Sequence, residues 1–440
     1  MKTKNNNYIW ILTTWIGLIT LPLLGQEKMT VDDAIAIALK HNFDIQIAQN
    51  NQEQAANNKS IYNSGYLPTV SASGGLNYAN NNSKLTSQTG EVTELTGLVN
   101  KSYNSAVTLN YLLYNGGLRK YSYEQLKEQF DLASTQKKVQ IENTLIEVYT
   151  AFFNVARNQE QKNTLLEAYS ISKERLDRVT AQQKYGQKNK LDVLNARVDT
   201  NNDSINLLNA SVLLKNNTRT LNYLLGRELT QPVKASKEVI LEKTLIYEQL
   251  LDALKSNNNE LKQAEINKSL TELNLKISKA GWLPSVSTNI GYNQNYNDNG
   301  AAGFFAIQQS NGFNAGLSLS WNLFDGGTTK TKVKNAQIAI KTQEINQQKL
   351  SLNLENQLSN YWDEYTTQKI ILKNEELNVE ISKQNFLKSK EQFNLGSISS
   401  LQFREAQLNL INTQLNLLNA KYNAKIAEMQ LKKFAGLLQN

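Results

Sequence analysis

Polar and apolar positions follow two rhythms along this chain. From 313 to 323 the sequence FNAGLSLSWNL alternates: Phe313, Ala315, Leu317, Leu319, Trp321 and Leu323 are apolar, with Asn314, Gly316, Ser318, Ser320 and Asn322 between them. Val107, Leu109, Tyr111 and Leu113 keep the same period, as do Val70, Ala72, Leu76 and Tyr78, and Val286, Ile290 and Tyr292. A period of two sends successive side chains to opposite sheet faces, so four strands are predicted, each with an apolar and a polar face. Elsewhere the spacing is that of a narrow coiled-coil seam. Leu401, Leu408, Ile411, Leu415, Leu418 and Tyr422 step by 7, 3, 4, 3 and 4, and Leu194, Val198, Ile205, Leu208 and Val212 by 4, 7, 3 and 4. Asn, Gln, Ser, Lys and Glu surround these seams. From Leu118 to Lys184 there is no Gly or Pro, which at ~1.5 Å per residue allows a helix on the order of 100 Å long.

The two rhythms recur in the same order. GYLPTVS (65–71) matches GWLPSVS (281–287), and VTLNYLLYNGG (107–117) matches LSLSWNLFDGG (317–327). YGQKNKLDVLNAR (185–197) matches LGSISSLQFREAQ (395–407), and LLNA occurs at 207–210 and 417–420. The last three pairs share an offset of 210 positions. Pro68 and Pro284 stand where a helix must stop and a strand begin, because proline neither continues a helix nor tolerates α conformation before it. Pro232 lies between the halves. The expected organisation is a leader at 1–25 and two repeats. Residues 26–231 hold a helix, a β-hairpin at 66–114 and a long helical hairpin at 118–226. Residues 232–440 hold a helix, a β-hairpin at 282–324 and a long helical hairpin at 328–436. Gly186 and Gly396 mark the turns at the far ends of the helical hairpins.

A soluble sandwich would also alternate. Four strands in two hairpins, separated by long helices, make a poor sandwich, and the strand ends are aromatic: Tyr66, Tyr111, Tyr114, Trp282, Trp321 and Phe324. Alternating strands flanked by aromatic girdles are the pattern of an outer-membrane barrel. The polar links 80–102 and 293–311 read as long external loops. Four strands cannot close, and open edges are not tolerated in lipid, so the barrel must be shared between chains. Two copies would fill their interior with side chains; three would leave a lumen, which the polar strand faces favour. For the helices, a hollow wet tube and a plain antiparallel rod fit the spacing equally, and the hairpins and the repeat favour the tube.

Composition narrows the function. There is no Cys and one His, which removes thiolate chemistry, disulfides, Cys-anchored lipidation and His-pair metal sites. His41 sits in a polar stretch with nothing to pair with, and Asp32 and Asp33 after Thr30 read as a helix cap rather than a catalytic acid pair. No enzyme, cofactor or metal is expected. The formal charge is +8 with acids and bases interspersed, which is a solvated surface and not a nucleic-acid footprint. The start, with Lys2 and Lys4 before an apolar run from Tyr8 to Leu24, reads as a cleaved secretory signal.

The duplicated Gly-aromatic-Leu-Pro strand starts, the Gly116–Gly117 and Gly326–Gly327 pairs after strands two and four, and the tip sequence in which four residues separate Gly186 from Leu191-Asp192-Val193 resemble the TolC-type outer-membrane efflux factor family over the whole mature chain. The resemblance implies a mainly α fold with membrane β: a trimeric twelve-stranded outer-membrane barrel, four strands per chain, continuing into a long α-helical coiled-coil periplasmic barrel. It implies a homotrimer in the cell outer membrane, a periplasmic adaptor protein, and an inner-membrane pump of the resistance-nodulation-division or ABC type. It places a periplasmic aperture at Glu405 and Gln402 of the second helical hairpin and Asp192 and Asn195 of the first, and adaptor contacts at the tips, Tyr185, Gly186, Leu395 and Gly396. One of two expected acids is the amide Gln402. Phe393 and Ile398 replace a Tyr and an Arg that latch the tip in the relative compared, so a polar latch is not expected there. The function implied is a passive exit duct for small molecules. A protein-secretion duct on the same scaffold, and a structural coiled-coil adaptor or stalk, are the competing readings.

Overall fold

The computed structural model describes residues 28–242, 244–300 and 305–438; the expected leader lies outside them. Two equivalent series of elements follow one another. The first comprises α1 (Val31–His41), α2 (Phe43–Asn58), β1 (Thr69–Thr86), β2 (Val92–Asn115), α3 (Leu118–Lys184) and α4 (Lys190–Leu224). The second comprises α5 (Tyr247–Asn257), α6 (Asn259–Ala280), β3 (Ser285–Asp298), β4 (Ile307–Ser320), α7 (Thr328–Asn394) and α8 (Ser400–Phe434). The long helices α3 and α7 each have 67 residues, and α4 and α8 each have 35. Thr30 and Asp33 form a capping box on α1, as their spacing suggests. No described helix is long and apolar enough to cross a membrane.

The single helix expected at the start of each repeat is two helices. Asn42 and Asn258 break the run, each in extended conformation. Each side chain does two jobs. The Asn42 Oδ1 accepts the amides of Asp44 and Ile45 at 2.9 and 3.1 Å, capping α2, while its Nδ2 donates to the Leu224 carbonyl at the end of α4, 2.8 Å away. Asn258 repeats this, with Glu260 and Leu261 as donors and the Phe434 carbonyl as acceptor at 3.1 Å. The helix ends turn through Gly226 (φ +64°) and Gly436 (φ +69°). A methyl on Gly226 would meet the His41 carbonyl, and one on Gly436 would lie 2.9 Å from Asn257 Cβ. Sequence reasoning passed over these breaks, although an Asn followed by an acid one or two residues on is a capping signal.

The strands form one antiparallel sheet in the order β1-β2-β3-β4. Register brings the apolar positions to one face: Val70, Leu109, Ile290 and Ala315 lie in one row, and Ala72, Val107, Tyr292 and Phe313 in another. This face is uncovered within the chain; Phe313 is 82% and Leu317 72% exposed. The opposite face carries rows such as Ser71, Thr108, Gly291 and Asn314, and Ser73, Ala106, Asn293 and Gly312. The expected external loops are mostly strand. β1 and β2 keep pairing from Asn80↔Val99 to Thr86↔Val92 and turn at Ser87–Glu91, and β3 pairs on to Asp298. Backbone pairing does not need alternation, so loss of the apolar period at a polar row (Gly74, Ser105, Gln294, Asn311) did not end the strands. Conversely Tyr66, Trp282, Trp321 and Phe324, expected within the hairpins, lie just outside the strands.

Helix packing also departs from expectation. The seam Leu194, Val198, Ile205, Leu208 and Val212 of α4 is exposed. Toward its own chain α4 buries Ala196, Thr200 and Asp203 instead. The main core lies where α1, α3, the end of α4 and α8 converge, around Val148, Phe152, Phe153, Leu221, Leu225 and Tyr422. A second core holds α5 against α7 and α8.

Asn42→Ala and Asn258→Ala should each cost about 2 kcal/mol, because each removes a helix cap and leaves a buried carbonyl without its donor. Gly226→Ala should cost at least as much through backbone strain and collision. The measurement is the urea midpoint of the purified protein at unchanged slope.

Candidate functional site

The tips of the helical hairpins turn as the glycines require. Gly186 (φ +75°) and Gly396 (φ +76°) take the left-handed conformation, and the amides of Gln187 and Ser397 reach back to the carbonyls of Gln182 and Gln392 at 2.9 Å each. Tyr185, Gly186, Leu395 and Gly396 are all exposed. The aperture candidates divide into two kinds. Asp192 and Gln402 occupy equivalent third positions of α4 and α8, and each side chain caps its own helix, with Asn189 and Ser399 as partners. Glu405 and Asn195 are exposed one turn further along the same two helices. The structure brings neither pair into mutual contact within a chain.

Where the relative compared has a polar latch, an aromatic stack stands, in keeping with Phe393 at that position. The Phe393 and Phe403 rings lie 4.8 Å apart and 5° from parallel, with Phe386 stacked on Phe403 at 5.6 Å. Arg178 from α3 covers Phe393 and donates to the Asn394 carbonyl at 3.0 Å.

Beside the stack lies a buried ionic network that sequence reasoning missed. Arg404 on α8 is 6% exposed and Asp203 on α4 is 4% exposed. They form a bidentate pair with N···O distances of 2.7 and 2.8 Å. Ser172 on α3 donates to the same carboxylate. Arg175 on α3 is bonded to Asp199 and donates to the Ser400 carbonyl at the start of α8, 3.2 Å away. Gln407 donates to the Ala168 carbonyl at 3.1 Å and accepts from Arg404 at 3.1 Å. Burial lowers the Arg175 pKa from its ordinary value, opposed by the Asp199 hydrogen bond and charge. The network ties the second helical hairpin to both helices of the first. One sequence signal pointed to it: Asp199 and Asp203, four apart on one helix face, repel unless cations sit between them.

At the other end, the aromatic candidates gather where sheet meets helices. Arg119, in the first turn of α3, lies 4.4 Å from the Tyr66 ring centre and 5.7 Å from that of Tyr111, and donates to the Leu112 carbonyl at 2.6 Å. The Trp321 indole donates to the Trp282 carbonyl at 3.1 Å. Tyr114 and Phe324 are exposed beside them. An amphipathic ring with an apolar body and a bonded polar tip suits a membrane–water boundary.

A sheet with a lipid-type face, an aromatic belt at its base and helices of 67 residues leading away define a membrane channel of the outer-membrane type. The sequence profile described as "Outer membrane efflux protein" matches residues 34–227 and 250–437, and the chain belongs to that family. Outer membrane protein TolC of Vibrio cholerae is 24% identical over 209 residues, 47% of this chain and 48% of that protein, so the match spans about half of the relative's length. The Campylobacter jejuni CmeC outer membrane channel superposes with a TM-score of 0.78 at 18% identity, covering 93% of this chain and 86% of that one. The Vibrio cholerae outer membrane protein VceC gives 0.75 at 14% identity, covering 92% and 96%. The fold class is therefore the expected one, membrane β joined to a long helical periplasmic part. The family consists of channels, not enzymes.

Removing one partner of the buried pair, as in Asp203→Ala, should destabilise by roughly 3–5 kcal/mol, because Arg404 is left charged and dry. The double variant Asp203→Leu/Arg404→Met should regain most of that loss. Denaturant midpoints, with amide exchange along residues 168–179, check both.

Proposed function

We propose that the chain is the outer-membrane exit duct of a tripartite efflux pump, passively conducting small molecules delivered by an inner-membrane pump through a periplasmic adaptor. One observation carries this reading: the chain leaves open both edges of a lipid-faced sheet and the whole apolar seam of α4. Both need copies of the same chain. Three copies supply twelve strands, enough for a lumen lined by the polar sheet face, and give each exposed seam a neighbour. A periplasmic adaptor or stalk has no use for such a sheet. A protein-secretion duct shares the scaffold and differs in its pump.

In this reading the periplasmic aperture is lined by Glu405 of the second hairpin and Asn195 of the first. Asp192 and Gln402 serve it by capping the helices that carry these residues. Three Glu405 carboxylates in a narrow ring would attract cations. The tips Tyr185, Gly186, Leu395 and Gly396 are the adaptor contacts in this reading, since they are exposed and farthest from the sheet.

Crosslinked pull-down of the tagged protein from native cells, read by mass spectrometry, should recover a periplasmic adaptor with an inner-membrane resistance-type pump. An ATP-driven exporter with the adaptor favours the secretion duct, and recovery of neither ends the tripartite reading. Glu405→Gln should lower cation preference in planar-bilayer recordings; unchanged reversal potentials would remove Glu405 from the aperture.

A further inference from the structure

The polar face of the sheet carries no charge. Its five rows run from Thr69, Asn110, Asn289 and Gly316 at the helical end to Asn77, Ser102, Asn297 and Gln308 at the far end. Every residue in them is Asn, Gln, Ser, Thr, Gly or Ala. The nearest charges on the four-strand ladder, Lys101 and Asp298, pair with each other and with Tyr78 and Ile307 on the opposite face. A lumen wall without one Lys, Arg, Asp or Glu over about 27 Å of strand is unusual in a chain that is 20% charged.

The asparagines are also held in a particular way. Gly75 faces Asn104, Gly316 faces Asn289 and Gly291 faces Asn314 across neighbouring strands. In each pair the amide lies flat over the glycine: its Oδ1 is 2.5, 2.6 and 2.8 Å, respectively, from where a Cβ would stand. Asn293 then donates to Asn314 at 2.7 Å, linking one of these amides to the next row. Any larger residue in place of glycine would push the amide off the sheet.

We propose that this face is a charge-blind, size-limited exit: the paired glycines and asparagines keep the lumen wide and neutral, so the barrel passes cationic, anionic and uncharged polar solutes alike. Charge selection then resides at the helical end. The inference rests on the reading that the polar face lines a lumen, and adds what that lumen selects. Uncharged amides and hydroxyls exchange hydrogen bonds with water and solute at similar energy, so they hold passing solutes weakly. A low-dielectric wall focuses the field of any fixed charge, so its absence removes a strong filter.

The chain has no cysteine, so a single thiol is a clean probe. Ser73→Cys sits in the middle row, and thiosulfonate reagents bearing trimethylammonium or sulfonate groups are applied to intact cells from outside. This reads the barrel whatever the state of the helical tips. Rates normalised to a free thiol should agree within about twofold for the two charges. Adding Asn293→Asp should favour the cation about fivefold, from three carboxylates near the thiols. A tenfold preference of either sign in the Ser73→Cys protein overturns neutrality. Failure of both small reagents to react, while Val107→Cys on the other face does react, overturns the lumen itself and with it the channel reading. For width, Gly75→Ala/Gly291→Ala/Gly316→Ala should lower the largest polyethylene-glycol maleimide that labels Ser73→Cys, with small-reagent rates retained. An unchanged cut-off in protein that reaches the membrane overturns the role of the glycines. Should that variant not assemble, the charge comparison still decides the proposal.

Discussion

Hydrocarbon offers no hydrogen bonds, so every strand edge that enters it must be paired. This chain brings four strands to the membrane and leaves the outer edges of β1 and β4 open. Closure is therefore a property of an assembly, and the rest of the molecule is arranged around that requirement. The exposed seam of α4 is the same incompleteness in helical form. A chain that kept Leu194, Val198, Ile205 and Leu208 for itself would have nothing to offer its neighbours. Burying Ala196, Thr200 and Asp203 inside leaves the apolar stripe outside, available to neighbouring copies in the proposed assembly.

The choice has a consequence at the tips. With the apolar seam committed elsewhere, the two helical hairpins must be joined by other means, and the Arg404–Asp203 and Arg175–Asp199 network does this. Such a junction is directional: it holds only when both guanidinium planes and both carboxylates are in register, whereas an apolar contact tolerates sliding. The stacked Phe393 and Phe403 beside it fill the place of a polar latch with an element of fixed geometry. The network and the stack thus hold the two helical hairpins together within one chain.

The sheet repeats the logic with neutral groups. Its apolar face is specified by lipid and its aromatic base by the interface. Its polar face is built of small residues and uncharged amides. In each cross-strand glycine–asparagine pair the missing Cβ is the space the amide occupies.

Much of this was legible without coordinates. The ends of α3 and α7 followed from where Gly and Pro are absent, the tip turns from Gly186 and Gly396, and the strand faces from a strict period of two, because all are set by neighbours in the chain. The breaks at Asn42 and Asn258 carried a readable capping signal that the longer helical pattern obscured. The strands past residue 80 were hidden, since pairing of main-chain groups leaves no side-chain rhythm. Arg175 and Arg404 looked like solvated residues on polar helices, and only the packing of α8 on α3, with Asp203 of α4 reaching Arg404, removes water from them. The sequence by itself determined which elements form, their lengths, their duplication and the membrane-facing side of the sheet, because helix and strand periodicity are local. Only the tertiary structure decided which stripe of each helix is turned inward, which charges meet, and which asparagine lies on which glycine, because those depend on register between segments tens to hundreds of residues apart.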